Sequence, residues 1–245
     1  MKPNFLILAL GMMFLLPASI YSQGESSQKV FKVYMNGLFE KQTRTLNDFP
    51  SDSTIYSLEF RDTDIGYFSP ALGFIKQNGD IHEFEISRIS IGTSRVDSLV
   101  ILENPDLQTF TMKGDQVYTI HLAFRYEYMI NLRKSDEEAA LKPYIGFSAQ
   151  PYFRYLGFRS YVSSVFPYSY IDVGAVMSII PRVTYDVNER WFLDLNLPLA
   201  VYRINWLQDS FEEPSIPVED RVQSSFNTES FPNLFQVRFG AGMKF

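Results

Sequence analysis

Residues 231–245 read Phe231-Pro232-Asn233-Leu234-Phe235-Gln236-Val237-Arg238-Phe239-Gly240-Ala241-Gly242-Met243-Lys244-Phe245. The odd positions carry Phe, Asn, Phe, Val, Phe, Ala, Met and Phe; the even ones carry Pro, Leu, Gln, Arg, Gly, Gly and Lys. A β-strand points successive side chains to opposite faces. The stretch therefore predicts a strand with one apolar face and one face of polar, charged or very small residues. Which of the two faces is wet decides the fold.

Other segments repeat the pattern. Ile171, Val173, Ala175, Met177, Ile179, Val183, Tyr185 and Val187 oppose Asp172, Gly174, Ser178, Arg182, Thr184 and Asp186. Tyr118 to Ile130 alternates in the same way against His121, Arg125 and Glu127, and Ile145 to Tyr155 alternates against Ser148, Gln150 and Arg154. Trp191 to Val201 opposes Asp194 and Asn196, and Phe31, Val33 and Met35 oppose Lys32, Tyr34 and Asn36. Phe68, Leu72, Phe74, Phe84 and Ile86 share a parity that Ile89 and Ile91 break. These faces predict eight strands at 29–39, 66–76, 81–91, 118–130, 143–156, 170–187, 191–206 and 231–245, or ten if 54–60 and 98–112 also cross.

The connections alternate in length, short at 77–80, 131–142 and 188–190 and long at 40–65, 92–117, 157–169 and 207–230. Parity requires an odd loop between Val187 and Trp191. Asn188-Glu189-Arg190 meets this and pairs Tyr185 with Leu193, Thr184 with Asp194 and Arg182 with Asn196. The same logic places Asn78-Gly79-Asp80 in the first turn, against the commoner two-residue Asn-Gly turn, which would flip one strand. Ser135 and Glu138 fit a capping box and predict one helical turn at 135–141.

A soluble lipocalin-like barrel also alternates, with its apolar face inward. Here the apolar set is bulky and continuous, while the other mixes charges of both signs with Gly and Ser, so the apolar face is assigned to lipid. Aromatic residues make up 16% of the chain, which suits a barrel with aromatic girdles. Residues 1–22 read as a secretory signal: Lys2, an apolar run from Phe5 to Ile20, then Ser22. Residues 23–245 remain as one domain. Cysteine is absent, so there is neither a disulfide framework nor a thiolate metal site, and no later apolar run is long enough for a spanning helix. A net charge of −6 disfavours nucleic acid as a partner.

The terminal stretch, ending on Phe245, resembles the last strand of bacterial outer-membrane β-barrels, in which an aromatic end serves as an assembly signal. Ser69-Pro70-Ala71-Leu72-Gly73-Phe74 through His82-Glu83-Phe84-Glu85 is also similar to small barrels of this kind. The resemblance implies an all-β, antiparallel, transmembrane up-and-down barrel of OmpA/OmpX-like architecture without a periplasmic domain, long loops outside and short turns in the periplasm. It implies residence in the Gram-negative outer membrane, with outer-membrane lipid, lipopolysaccharide and the barrel assembly machinery as partners, and an envelope protein partner as a further possibility.

An eight-stranded barrel is just wide enough for side chains. The residues assigned inward include Arg125, Arg154, Arg182, Arg238 and Lys244 against Glu127, Asp172, Asp186 and Asp194, which should pair because unpaired buried charge is costly. The expected result is a salt-bridged, structural lumen; the alternative is a narrow channel for ions or small solutes. His121 is the lone candidate for a lipid-modifying site at the outer rim, and its strand lacks the companion Ser of that chemistry. His82 falls near a turn. No phosphate loop, dinucleotide fingerprint or metal spacing occurs, so neither catalysis nor a cofactor is expected. Asp209, Glu212, Glu213, Glu219 and Asp220, with Glu229, make the 207–230 loop acidic and a candidate for divalent cations, direct or shared with lipopolysaccharide phosphates. Pro214-Ser215-Ile216-Pro217 predicts a stiff, extended stretch within it.

Overall fold

The computed structural model describes residues 28–46, 56–94, 99–102, 107–110, 116–133, 139–159, 168–212, 214 and 217–245. Residues 1–22, Ser135, Glu138 and Glu213 lie outside them, as do Ser215 and Ile216; Pro214 sits in a turn. The strands are β1 (Gln28–Leu46), β2 (Tyr56–Ile75), β3 (Ile81–Ser94), β4 (Leu99–Leu102), β5 (Leu107–Phe110), β6 (Gln116–Asn131), β7 (Leu141–Arg159), β8 (Tyr168–Asp186), β9 (Trp191–Asn196), β10 (Leu199–Phe211), β11 (Val222–Ser230) and β12 (Leu234–Lys244).

The main sheet runs β1-β2-β3-β6-β7-β8, continues through β9 and β10 to β12 and β11, and closes where β12 pairs antiparallel with β1 from Val30↔Lys244 to Glu40↔Leu234. Leu197 and Pro198 separate β9 from β10, both of which pair with β8. Phe231, at φ 52°, and Pro232 separate β11 from β12. Ten sheet segments thus form eight staves. Of the two segments that would have made ten staves, the first is the outer end of β2, paired with β1 as far as Leu46↔Tyr56. The second is a separate hairpin of β4 and β5.

Burial follows the alternation. In β1, Lys32, Tyr34, Asn36, Leu38 and Glu40 are buried while Phe31, Val33, Met35 and Phe39 are exposed. In β9 the pattern alternates strictly, with Phe192, Asp194 and Asn196 inside. Polar and charged side chains therefore fill the middle of the barrel, a smaller set of apolar ones such as Val30, Ile81, Met129 and Ile180 packs inside with them, and the exposed outer face is mostly apolar.

Parity changes where the strands bulge, because one extra residue re-aims every side chain beyond it. The β3–β6 register shifts between Glu85 and Arg88, which puts Ile89 and Ile91 outside with Phe84 and Ile86. The β10–β8 register shifts between Ala200 and Tyr202, so Val201 is the surplus residue. The simple alternation ending on Val201 therefore fails, and Arg203 and Asn205 turn inward.

The turns settle the registers. Asp186↔Phe192, Tyr185↔Leu193, Thr184↔Asp194, Val183↔Leu195 and Arg182↔Asn196 are paired as the three-residue loop predicts. The first turn is also a three-residue loop, but over Gln77-Asn78-Gly79 rather than 78–80. The Lys76 amide donates to the Asp80 carbonyl (2.8 Å), and Gly79 takes φ +82° to close it. Asp80 is buried, and its carboxylate accepts from Tyr128 Oη (2.9 Å) and the Asn131 amide (3.0 Å), which ties this turn to the next.

The 207–230 region is not a loop in the main. β10 and β11 form a hairpin from Tyr202↔Ser230 to Ser210↔Val222, capped by a 3-10 turn at Val218–Asp220. Both faces of β11 are exposed, so its sequence carries no apolar alternation. At the opposite end of the barrel the connections 76–80, 132–140 and 187–190 are all brief, and the Phe245 amide bonds the Lys29 carbonyl (3.0 Å).

One seam is incomplete. β2 and β3 pair only from Ala71↔Glu85 to Ile75↔Ile81, although both strands continue. The next residue of β2 is Pro70, which has no amide proton to give, and the next residues of β3 form its bulge. Beyond this level side chains join the two strands. Ser69 Oγ donates to Glu85, and the Arg88 guanidinium lies 5.7 Å over the Tyr67 ring.

Candidate functional site: a charged lumen in three tiers

The middle tier is the densest. Lys32 (β1), Arg125 (β6), Arg182 (β8) and Arg238 (β12) meet Glu83 and Glu85 (β3), Glu127 (β6) and Asp194 (β9), and all eight are at most 3% exposed. Lys32 contacts Glu83 at 2.6 Å and Asp194 at 2.9 Å. Arg182 contacts Glu127 at 2.6 Å, Glu83 at 3.1 Å and Asp194 at 3.4 Å. Arg125 reaches Glu85 at 3.2 Å and Glu127 at 3.8 Å, and Arg238 pairs with both. Tyr34 stands at the centre: its hydroxyl donates to Glu83 (2.7 Å), accepts from Arg182 (2.9 Å), and its ring lies 4.6 Å under the Arg238 guanidinium.

Four cations thus balance four carboxylates, the condition under which ion pairs tolerate burial. Neutral amides complete the layer: Gln150 and Gln236 accept from Arg125, and Asn196 accepts from Arg238. The small residues of the terminal strand make the room. A Cβ on Gly240 would stand 2.7 Å from the Tyr34 ring, and one on Gly242 would strike the Phe192 ring.

The tier at the short-turn end is a cavity of about 450 Å³ lined by Lys76, Asn131, Lys142, Tyr144, Asp186 and Lys244 among others, with Lys32 and Phe192 at its inner end. Asp186 holds Lys142 at 3.1 Å and Lys244 at 2.7 Å. In the outer tier Glu40 holds Arg154 at 2.8 Å and Arg203 at 2.7 Å. Asp172 accepts from Asn205 (2.9 Å), Tyr170 (2.9 Å) and Tyr152 (3.2 Å).

Of the residues singled out in the sequence, Arg125, Glu127, Arg182, Asp194 and Arg238 therefore share one network. Arg154 and Asp172 sit above it, and Asp186 with Lys244 below. Sequence reasoning passed over Glu83 and Glu85, although both oppose Phe84 and Ile86 in parity. Glu40 fell in a presumed loop, and the Val201 bulge concealed Arg203.

His121 is buried in the outer tier, opposite Ser90 on β3 and Arg154 on β7, with its ring 6.4 Å from that of Tyr152. Ser90 is a hydroxyl neighbour hidden from the sequence by the β3 bulge, and among the described residues no hydrogen bond joins the two. His82 Nδ1 lies 2.7 Å from Tyr126 Oη near the first turn. Asp209 lies on β10 opposite Gln223, and Glu229 lies opposite Arg203. Glu212, Glu219 and Asp220 are exposed. Among the described residues no three acidic or histidine side chains gather closely enough to hold a metal ion.

A closed antiparallel barrel that is charged inside and apolar outside satisfies its wall hydrogen bonds within itself and offers lipid its hydrocarbon face: it is a small transmembrane β-barrel of the outer-membrane type. No protein-family model matches the chain, and no curated protein matches it in sequence. Solved structures similar to it include the outer membrane protein OprG from Pseudomonas aeruginosa, at TM-score 0.48 and 10% identity, covering 91% of this chain and 98% of that one. The outer membrane protein AlkL, determined in lipid bilayers, gives TM-score 0.49 and 11% identity over 91% of this chain and 93% of its own. A major outer membrane protein from Thermus thermophilus gives 0.45 and 12%, covering 89% and 99%.

Proposed function

We propose that the chain resides in the outer membrane of a Gram-negative envelope as a non-enzymatic barrel, shut by its middle tier and active through its outer face. The observation that carries this reading is the charge-balanced layer of Lys32, Arg125, Arg182, Arg238, Glu83, Glu85, Glu127 and Asp194, which spans the lumen between strands on opposite sides. An ion entering it must part fully buried pairs. The acidic outer hairpin, with exposed Glu212, Glu219 and Asp220, faces lipopolysaccharide, where divalent cations bridge carboxylate to phosphate. Phe245 at the rim is the contact for the assembly machinery. In planar bilayers the purified protein should give no unitary conductance steps, and regular steps would overturn the closed-lumen reading.

A further inference from the structure

The cavity at the short-turn end stops at Lys32 and Phe192, where the middle tier begins. Its volume, about 450 Å³, falls in the range of small-molecule sites. Lys32 has no donor left for it. An ammonium has three, and here Glu83 (2.6 Å), Asp194 (2.9 Å) and Tyr34 (3.4 Å) take them.

The walls are of two kinds. Val30 on β1, Ile75 on β2 and Ile81 on β3 make one stretch apolar. Lys142 on β7, Asp186 on β8 and Lys244 on β12 make another charged. Asp186 is the one carboxylate in the lining, and both lysines turn to it, at 3.1 Å and 2.7 Å. Two lysines on one aspartate leave a positive charge over, before Arg133 in the same lining is counted. Lys76 is left out of that balance because its ammonium lies over the Tyr128 ring at 5.7 Å, and Phe245 with the terminal carboxylate is outside the lining.

Lys244 is held at the cavity from two directions. Asp186 is one, and the other is the Phe192 ring, 5.7 Å from its ammonium. A ring face attracts a cation, and Gly242 leaves the room for this ring. Each lysine spends one contact on Asp186 and keeps donors for a further oxyanion.

We propose that this pocket binds a small organic carboxylate, its charge between Lys142 and Lys244 and its aliphatic body against Val30, Ile75 and Ile81. The proposal rests on the closed-lumen reading, which makes the cavity blind and turns it toward the periplasm. A free acid and the carboxyl end of a short peptide share this chemistry.

The test titrates the full chain in phosphatidylcholine nanodiscs calorimetrically, with empty nanodiscs subtracted. Hexanoate should bind saturably at one site, at least about tenfold tighter than acetate, which lacks the aliphatic body, or hexanol, which lacks the charge. Acetate as tight as hexanoate would overturn the apolar wall, and hexanol as tight would overturn the lysine site. N-acetylalanylalanine against hexanoate tells the two sources apart: the tighter of them names the source, and saturable binding of neither would overturn the pocket.

Lys142→Gln and Lys244→Gln each leave Asp186 one partner and should weaken hexanoate about tenfold. Unchanged affinity in both would overturn the assignment. Asp186→Asn removes the competing carboxylate and should tighten hexanoate at least threefold, a gain that a misfolded barrel cannot produce; unchanged or weaker binding would refute the site. Asp136, Glu137 and Glu138, in the connection between β6 and β7, are the chain's own rivals for the lysines. Binding that appears only after all three are changed to their amides would overturn an external ligand. Conductance steps alongside saturable hexanoate binding would count against the closed lumen alone, and a silent bilayer without hexanoate binding would overturn the pocket alone.

Discussion

Arg238→Met removes one guanidinium from the middle tier and keeps most of the stem. The residue is fully buried, pairs with Glu85 and Glu127, donates to Asn196 and stacks on Tyr34 at 4.6 Å. Afterwards four carboxylates face three cations. Glu85 keeps Arg125 at 3.2 Å and Glu127 keeps Arg182 at 2.6 Å, so neither is stranded. Breaking a buried pair costs about 3–5 kcal/mol, and these surviving contacts place Arg238→Met toward the lower end. Loss of the desolvated stack adds up to about 2 kcal/mol. Adding Glu85→Gln restores the charge balance, so the double variant should be more stable than Arg238→Met alone by about 1–2 kcal/mol, a positive coupling in the double-mutant cycle. Urea unfolding in phosphatidylcholine vesicles, followed by the fluorescence of Trp191 and Trp206, measures both. A loss below about 1 kcal/mol for the single variant, the scale of an exposed ion pair, would refute the reasoning, as would a double variant less stable than the single.

Phe239→Arg places a charge on the outward face of the same strand, 46% exposed and opposite Met35 and Leu195, and should cost about 2–4 kcal/mol if that face lies at mid-bilayer; a neutral effect in the vesicle assay would turn the barrel inside out. Asp80→Ala leaves the Asn131 amide and the Tyr128 hydroxyl without their acceptor and should cost about 1–3 kcal/mol, read by the same unfolding curve, whereas Asp80→Asn should recover part of that loss.

What could be read from the sequence followed the two solvents. Where a stave touches lipid on one side and the packed lumen on the other, the period of two is unmistakable, and residues 118–130, 170–187 and 235–245 declare their inner and outer faces directly. Where strands rise beyond the membrane, water bathes both faces and the signal vanishes. That is why residues 222–230, exposed on both faces, passed for loop although they are paired strand. Single-residue bulges were the other blind spot. The break at Ile89 was visible but not interpretable without the partner strand, and Val201, apolar and in phase, hid its own surplus position. The charged site was legible as a set of inward residues. Its partition into tiers was not, because tier depends on how far each strand is staggered around the wall, which no single strand records.

The middle tier has a consequence for how the barrel forms. Its eight charges come from β1, β3, β6, β8, β9 and β12, and apart from the β6 pair Arg125–Glu127 no ion pair among these eight described residues lies within one strand. The β8–β9 hairpin matches Arg182 with Asp194, but β3 with β6 would carry three carboxylates against Arg125, and β12 with β1 two cations, into hydrocarbon. Only the closed ring neutralises all of them together, and the strand that brings the last of them, Arg238, is the one at the carboxyl end. Partial structures are thus kept high in energy until that strand arrives. Closure should be all-or-none, and the layer acts as a proofreading step on the order and register in which the staves are joined.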